Sequence, residues 1–194
     1  MASKSRLQVI DWLKKIHFKG DKVLDLGAGT NYANKYAKVE CNSYETMDID
    51  IKTKPKYVYD INEEICCGML AHFRERYDAI FCIETIEHTW DPVTVFENFN
   101  KMLKPGGKLF LSVCYIYPHH GKNDYLRYTD NGLKKLLEKT MFENIEIEAR
   151  QATTGHRDIL RFFQAEGMHS VELRNDYINK VPIGYCVKAT KRKE

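Results

Sequence analysis

Leu7, Ile10, Leu13 and Ile16 recur at helical spacing, so residues 6 to 17 are expected as an amphipathic helix. A short continuous apolar run follows, Lys22-Val23-Leu24-Asp25-Leu26, and ends at Gly27-Ala28-Gly29-Thr30. It reads as a buried strand turning into a helix over about residues 31 to 38. Tyr44 to Asp48 and Tyr57 to Tyr59 predict two further strands, and residues 62 to 75 a helix. Asp78 to Ile83 is the next strand. Asp91-Pro92 opens a helix, with proline in the first turn where its missing N–H costs nothing. That helix runs to about Lys104, before Pro105-Gly106-Gly107, and Lys108 to Val113 is the fifth strand.

Beyond residue 115 the pattern loosens. Residues 115 to 129 form a polar, aromatic-rich connection and Gly132 to Thr140 a helix. Ile145 to Glu148 alternates as a strand with one wet face, residues 157 to 180 are mostly helical, and Ile183 to Val187 is the final strand. The basic stretch Lys188 to Lys193 reads as a solvated tail. Alternating strands and helices with nearly continuous apolar strands predict an α/β fold, a parallel sheet covered by helices on both faces. One domain is expected over residues 1 to 194. Within it lie an N-terminal helix (1 to 19), a ligand-binding half (20 to 114) and a loop-plus-C-terminal half (115 to 194).

Charge changes this picture little. Thirty Lys and Arg against 27 Asp and Glu leave +3, too mild a balance to imply a nucleic-acid partner. No apolar run approaches the ~20 residues needed to cross a bilayer. The first residues lead into a mixed polar helix rather than a signal-peptide core, so a cytoplasmic protein is expected. Cys82, Cys114 and Cys186 fall inside apolar runs, where a free thiol acts as a small hydrophobe. The pairs Cys66-Cys67 and His119-His120 lack metal-site spacing, and no metal is expected.

The chemistry concentrates at strand ends. A strand turning through Gly27 and Gly29 lets a ligand approach the backbone and aims helix-start N–H groups at it. Asp48 ends the second strand, 21 positions after Gly27, where an acid can accept both hydroxyls of an adenosine ribose. Asp60 ends the third strand on the same sheet edge. A dinucleotide site would want a third glycine where Tyr32 stands, and Asp25 would repel a pyrophosphate. Asp25 suits instead a ligand bearing an ammonium and a sulfonium, which favours S-adenosylmethionine over NAD.

These residues resemble the class I S-adenosylmethionine-dependent methyltransferases over roughly residues 20 to 150. Val23 to Thr30 is similar to the family's first motif and Tyr44 to Asp48 to its second. Asp78 to His88 (DAIFCIETIEH) and Leu103 to Val113 (LKPGGKLFLSV) are similar to its fourth- and fifth-strand motifs. Asn31 departs from a frequent glycine. The resemblance implies a Rossmann-like, doubly wound sheet of seven strands, mostly parallel with the last antiparallel. It places Gly27, Ala28 and Gly29 along the cofactor's methionine portion, with Asp25 on its amino group. Asp48 would take the ribose hydroxyls, with Ile49 against the adenine, and Asp60 and Ile61 would meet the adenine edge. Cys82 and Ile83 would border the reacting methyl group.

The connection Tyr115 to Thr129 resembles a P-x-H-G-x-P-x-D-Y-x-R-[FY]-T pattern of a bacterial-type subgroup, with Asn123 in place of its second proline. His120 is the candidate general base, because imidazole titrates near neutrality. Arg127 is a candidate clamp for an anionic acceptor group, although an ion pair to Asp124 within the loop is the favoured reading for it. Tyr125 and Tyr128 are candidate pocket walls. His88 follows the fourth strand and could reach the active-site rim, but Glu87-His88 reads rather as ordering the turn into the next helix. The expected activity is methyl transfer to an oxygen or nitrogen of a small-molecule or sugar acceptor. Two alternatives stand beside it: a non-catalytic interaction module on the same fold, and a nicotinamide-dependent oxidoreductase.

Overall fold

Side chains along the strands alternate between two buried clusters, and this alternation fixes which face each helix covers. The computed structural model describes residues 4–29, 32–65, 72–151 and 182–193. Its elements are α1 (Lys4–Lys14), β1 (His17–Lys19), β2 (Lys22–Leu26), α2 (Tyr32–Tyr36), β3 (Lys38–Glu40), β4 (Ser43–Asp48) and β5 (Tyr57–Val58). They continue with β6 (Tyr77–Ile83), α3 (Pro92–Met102), β7 (Leu103–Cys114), α4 (Asp130–Lys139), β8 (Phe142–Gln151) and β9 (Pro182–Lys191).

Leu24, Leu26, Ile80, Leu109 and Leu111 pack with Phe96 and Phe99 of α3 and Leu133 and Leu137 of α4. The intervening residues Val23, Ala79, Phe81 and Phe110 pack with Val9, Trp12 and Leu13 of α1. The starts of α3 and α4 are closed by the residues that the sequence offers. Asp91 accepts from the Thr94 N–H at 3.1 Å, and Thr129 Oγ1 accepts from the Gly132 N–H at 3.0 Å.

The main sheet has seven strands in the order β5-β4-β2-β6-β7-β9-β8. β5, β4, β2, β6 and β7 pair in parallel, and β9 is antiparallel to both β7 and β8. This is the sheet that the resemblance implied, with the last strand inserted before the sixth. A separate two-stranded parallel pair, β1 with β3, was not anticipated. Three residues each, His-Phe-Lys and Lys-Val-Glu, are too short and too charged to show a period.

The expected solvated tail is corrected. Lys188 to Lys191 belong to β9, and Lys191 is buried, its ammonium donating to the Leu103 carbonyl at 3.0 Å and Glu75 at 3.2 Å. A lysine can enter a strand when its stem lies on apolar surface and its head finds acceptors. Of the helix expected over residues 62 to 75, residues 66–71 lie outside the described residues, as do the segment 157–180, Cys66 and Cys67, while 62–65 form a turn and an irregular stretch, which corrects the expectation there.

One buried charge ties β4 to β6. The Glu45 side chain, 2% exposed, accepts from Tyr77 Oη at 2.7 Å, Arg76 Nη2 at 2.9 Å and Lys56 Nζ at 2.7 Å. Burial alone would raise its pKa, but the bonds from Arg76, Lys56 and Tyr77 outweigh burial and hold the carboxyl well below its usual range. A depressed folded-state pKa adds stability above the ordinary value of 4.5 and loses it in stronger acid. Glu45→Ala should cost about 3–5 kcal/mol in urea unfolding at pH 7. The gap to the parent protein should narrow as the pH falls below 4.5; a gap that widens there would contradict this account.

Candidate active site

β2 leaves the sheet at Leu26, next to the point where the strand order reverses direction, and its partner β6 ends beside it. Ligands in open α/β sheets bind in this crevice beyond the carboxyl ends of the strands. Gly27 (φ +66°) and Gly29 (φ +40°) turn the chain there. A Cβ on Gly27 would fall 2.3 Å from the Thr85 side chain, whereas one on Gly29 would meet only the Gly27 carbonyl, at 3.7 Å. Gly27 therefore makes room for the loop after β6, and Gly29 is the glycine that leaves the approach open. The expectation that both glycines open the approach is corrected to this division of labour.

Two cavities flank this turn, of about 360 Å³ and about 170 Å³. Asp25, Gly27, Ala28, Gly29 and Ile83 border the larger one. Asp48, Ile49, Asp60 and Ile61 border the smaller one. The residues bordering both are Gly27 and His88. Cys82 borders neither. It is fully buried against the apolar cluster beneath α3, where burial pushes its thiol pKa up. Strand alternation explains the correction, because Ile83 faces the crevice side and Cys82 the opposite core.

The acids differ in environment. Asp25 is 2% exposed and accepts from Tyr44 Oη at 2.8 Å. Burial, against the lowering effect of that bond and with the raising effect of the Asp48 charge, lifts its pKa to about 7. Asp48 is more open. One oxygen accepts from the Gly29 N–H at 3.1 Å, and the other from the Asp50 N–H at 2.9 Å. These bonds aim the carboxylate along the turn. Asp60 Oδ1 accepts from the Asn62 backbone at 2.9 Å and from its side chain at 2.8 Å. Asn62 in turn accepts from the Trp90 N–H at 2.9 Å. Exposed Ile49 and Trp90 give this smaller cavity apolar surface.

The loop after β7 divides its candidates. Arg127 pairs with both oxygens of Asp124 and also donates to the Leu126 carbonyl at 2.9 Å. Its guanidinium is committed to the loop's own scaffold, in keeping with the favoured ion-pair reading and against the candidate clamp. Tyr128 is buried in the core, with its hydroxyl donating to the Ile86 carbonyl at 3.3 Å. It lines neither of the two cavities, which corrects its expected place as a pocket wall. Tyr125 is exposed and borders the smaller cavity. His120 borders the larger one, its ring edge-on to His88 at 5.0 Å and to Tyr117 at 5.1 Å between centroids.

Ser5, Arg6 and Glu84 are site residues that the sequence does not single out, while Glu87 and His88 stand there as residues ordering a turn. Ser5 and Arg6 of α1 border the larger cavity, and Arg6 is the one lysine or arginine lining it among the described residues. Glu84 adopts φ +51°, a conformation rarely held by a residue with a side chain. Its carboxylate takes the Ser112 hydroxyl at 2.8 Å and Arg150 at 2.9 Å. Glu87 is 1% exposed and accepts from the Cys114 thiol at 3.1 Å, while its Oε2 has no partner among the described residues. His88 Nδ1 lies 2.8 Å from the Asn123 carbonyl and so carries the proton. The signal was present in Glu84-Thr85-Ile86-Glu87-His88 directly after a strand end, the same placement that marked Asp48 and Asp60.

The residues fit S-adenosylmethionine. A buried carboxylate in the larger cavity suits an ammonium, Arg6 suits a carboxylate, and Asp48 with the apolar walls of the smaller cavity suits a nucleoside. Fold and site define an S-adenosylmethionine-dependent methyltransferase. The chain belongs to the methyltransferase-domain family, whose profile matches residues 1–170. It is similar to a ubiquinone biosynthesis O-methyltransferase of Coxiella burnetii, 30% identical over 187 residues, covering 89% of this chain and 76% of that one. A ubiquinone biosynthesis O-methyltransferase of Pseudomonas fluorescens is 27% identical over 170 residues, covering 78% of this chain and 72% of the other. Among solved structures it resembles Haemonchus contortus phosphoethanolamine N-methyltransferase 2 in complex with phosphomonomethylethanolamine and S-adenosylhomocysteine. There the TM-score is 0.60 at 14% identity, over 99% of this chain and 53% of that one, a likeness of fold. The chain thus spans about half the length of the nematode enzyme.

Proposed function

We propose that this protein methylates a hydroxyl oxygen of a small acceptor, with His88 accepting the hydroxyl proton. The observation that carries this reading is the meeting of the two cavities at Gly27 and His88. The nucleoside lies in the smaller cavity, with Asp48 on the ribose hydroxyls and Asp60 at the adenine edge. The methionine portion lies in the larger one, its ammonium on Asp25 and its carboxylate toward Arg6. When bound, S-adenosylmethionine supplies an electrophilic methyl group. His88 holds its Nδ1 proton on the Asn123 carbonyl, which leaves Nε2 as the basic nitrogen at the junction. The acceptor enters from the His120 and Tyr117 side of the larger cavity, and these rings with α1 limit its size and exclude water. The O-methyltransferase names of the relatives favour oxygen over nitrogen.

The test is release of S-adenosylhomocysteine against matched pools of small hydroxylated and amine acceptors. Turnover confined to the amine pool overturns the oxygen assignment. Asp48→Ala should weaken S-adenosylhomocysteine by about 1–3 kcal/mol in calorimetric titration, the usual cost of losing charge-assisted hydrogen bonds. Unchanged affinity removes Asp48 from the ribose.

A further inference from the structure

Three side chains of different chemistry converge at the inner end of the larger cavity. They are Glu87 from the turn after β6, Cys114 at the end of β7, and His120 from the following loop. One donor atom from each lies within 4.8 Å of the other two. Glu87 and Cys114 are buried, and Glu87 Oε2 has no hydrogen-bond partner among the described residues. Leaving a buried carboxylate oxygen unpartnered costs free energy that a ligand can recover. From this geometry we infer that Glu87, Cys114 and His120 form a binding site for a divalent cation of the zinc class, with one coordination position open to the cavity.

The donor set selects the ion. Magnesium and calcium take oxygen ligands, whereas a thiolate, an imidazole and a carboxylate together match zinc. Zinc–donor bonds of about 2.0–2.3 Å in a tetrahedron place the donors roughly 3.3–3.6 Å apart. The Cys114 sulfur and Glu87 Oε1, at 3.1 Å, already stand at about that separation. The remaining donor pairs, within 4.8 Å of one another, need to close by at most about 1.5 Å, within the reach of side-chain rotation. Three protein ligands with a free fourth position are the pattern of zinc sites that meet a substrate, in contrast to closed structural sites. The thiol loses its proton to solvent on binding, so the metal replaces the S–H···O bond with two metal–ligand bonds.

A second grouping nearby, His88, His120 and Asp124, is less available. The Asp124 carboxylate is spent on Arg127 and on the His120 N–H. The sequence concealed the first grouping because its members stand at positions 87, 114 and 120 with no short spacing between them.

The test needs neither cofactor nor acceptor, so its outcome is separate from the methyl-transfer reading. Cobalt(II) titrated into the full chain should produce a near-ultraviolet thiolate-to-cobalt band that zinc(II) abolishes by displacement. Cys114→Ser, verified as folded by circular dichroism, should lose the band. Glu87→Gln, which keeps shape and removes charge, should weaken cobalt binding at least tenfold, as should His120→Ala. A parent protein with no band, or a band that persists in folded Cys114→Ser because cobalt has found another cysteine, overturns the site. So does unaltered cobalt affinity in both Glu87→Gln and His120→Ala.

Discussion

His88→Ala should lower single-turnover methyl transfer at saturating cofactor by about 10²- to 10⁴-fold, the usual contribution of a positioned proton acceptor. The cofactor's affinity should change little, because the carboxylates and the Gly29 turn hold it independently of the imidazole. Added imidazole should restore part of the rate by occupying the vacated space, and this rescue separates proton transfer from scaffolding. The 3-10 turn Ile86–His88 is kept by backbone bonds, His88 N to Thr85 O at 2.9 Å and Thr89 N to Ile86 O at 3.2 Å, so the variant should fold. A folded variant with full turnover, or one that imidazole leaves inert, removes His88 from the reaction.

Asp25→Asn should stabilise the ligand-free protein at pH 8 and weaken the cofactor at the same time. The carboxyl titrates near 7 in the folded chain against 3.8 for the ordinary group. The folded state therefore holds the proton more tightly than the unfolded state does. The Asp25 contribution to stability is highest below pH 3.8 and falls as the pH rises to about 7. A carboxyl raised this far costs the ionised folded state on the order of 4 kcal/mol above pH 7. The amide, neutral at every pH and still able to accept from Tyr44, escapes this cost. Thermal melts at pH 4 and pH 8 measure it: the variant should gain at pH 8 and not at pH 4. Cofactor binding in the parent should release a proton and weaken about tenfold for each pH step of one below 7. An equal effect at both pH values, or affinity flat from pH 5.5 to 8, would show that Asp25 is not the ammonium's partner. Natural sites hold such destabilised groups because binding needs them.

The central strands were legible because they are buried on both faces. Val23 to Leu26, Ala79 to Ile83 and Leu109 to Val113 can be little else than inner strands of a parallel sheet. The positions of Asp48 and Asp60 beside the smaller cavity were legible for another reason, since the end of a strand in such a sheet is also an address on its ligand edge. What failed depends on distant partners. Lys191 reads as a tail until the Leu103 carbonyl and Glu75 are brought beside it. Cys82 and Ile83 differ by one position, and only the pleat decides which of them meets the cavity. Glu87 and Cys114 are 27 positions apart and become neighbours because β6 and β7 pair in parallel and end together.

The insertion of β9 between β7 and β8 has a consequence for biosynthesis. β7 is complete at Cys114, yet the strand that covers its outer edge begins at Pro182. A growing polypeptide on the ribosome must therefore carry a bare, apolar border through all the intervening synthesis, and such borders recruit other chains. Nascent-chain survival, more than the finished molecule's melting point, should depend on chaperones that shield that border until the closing strand arrives.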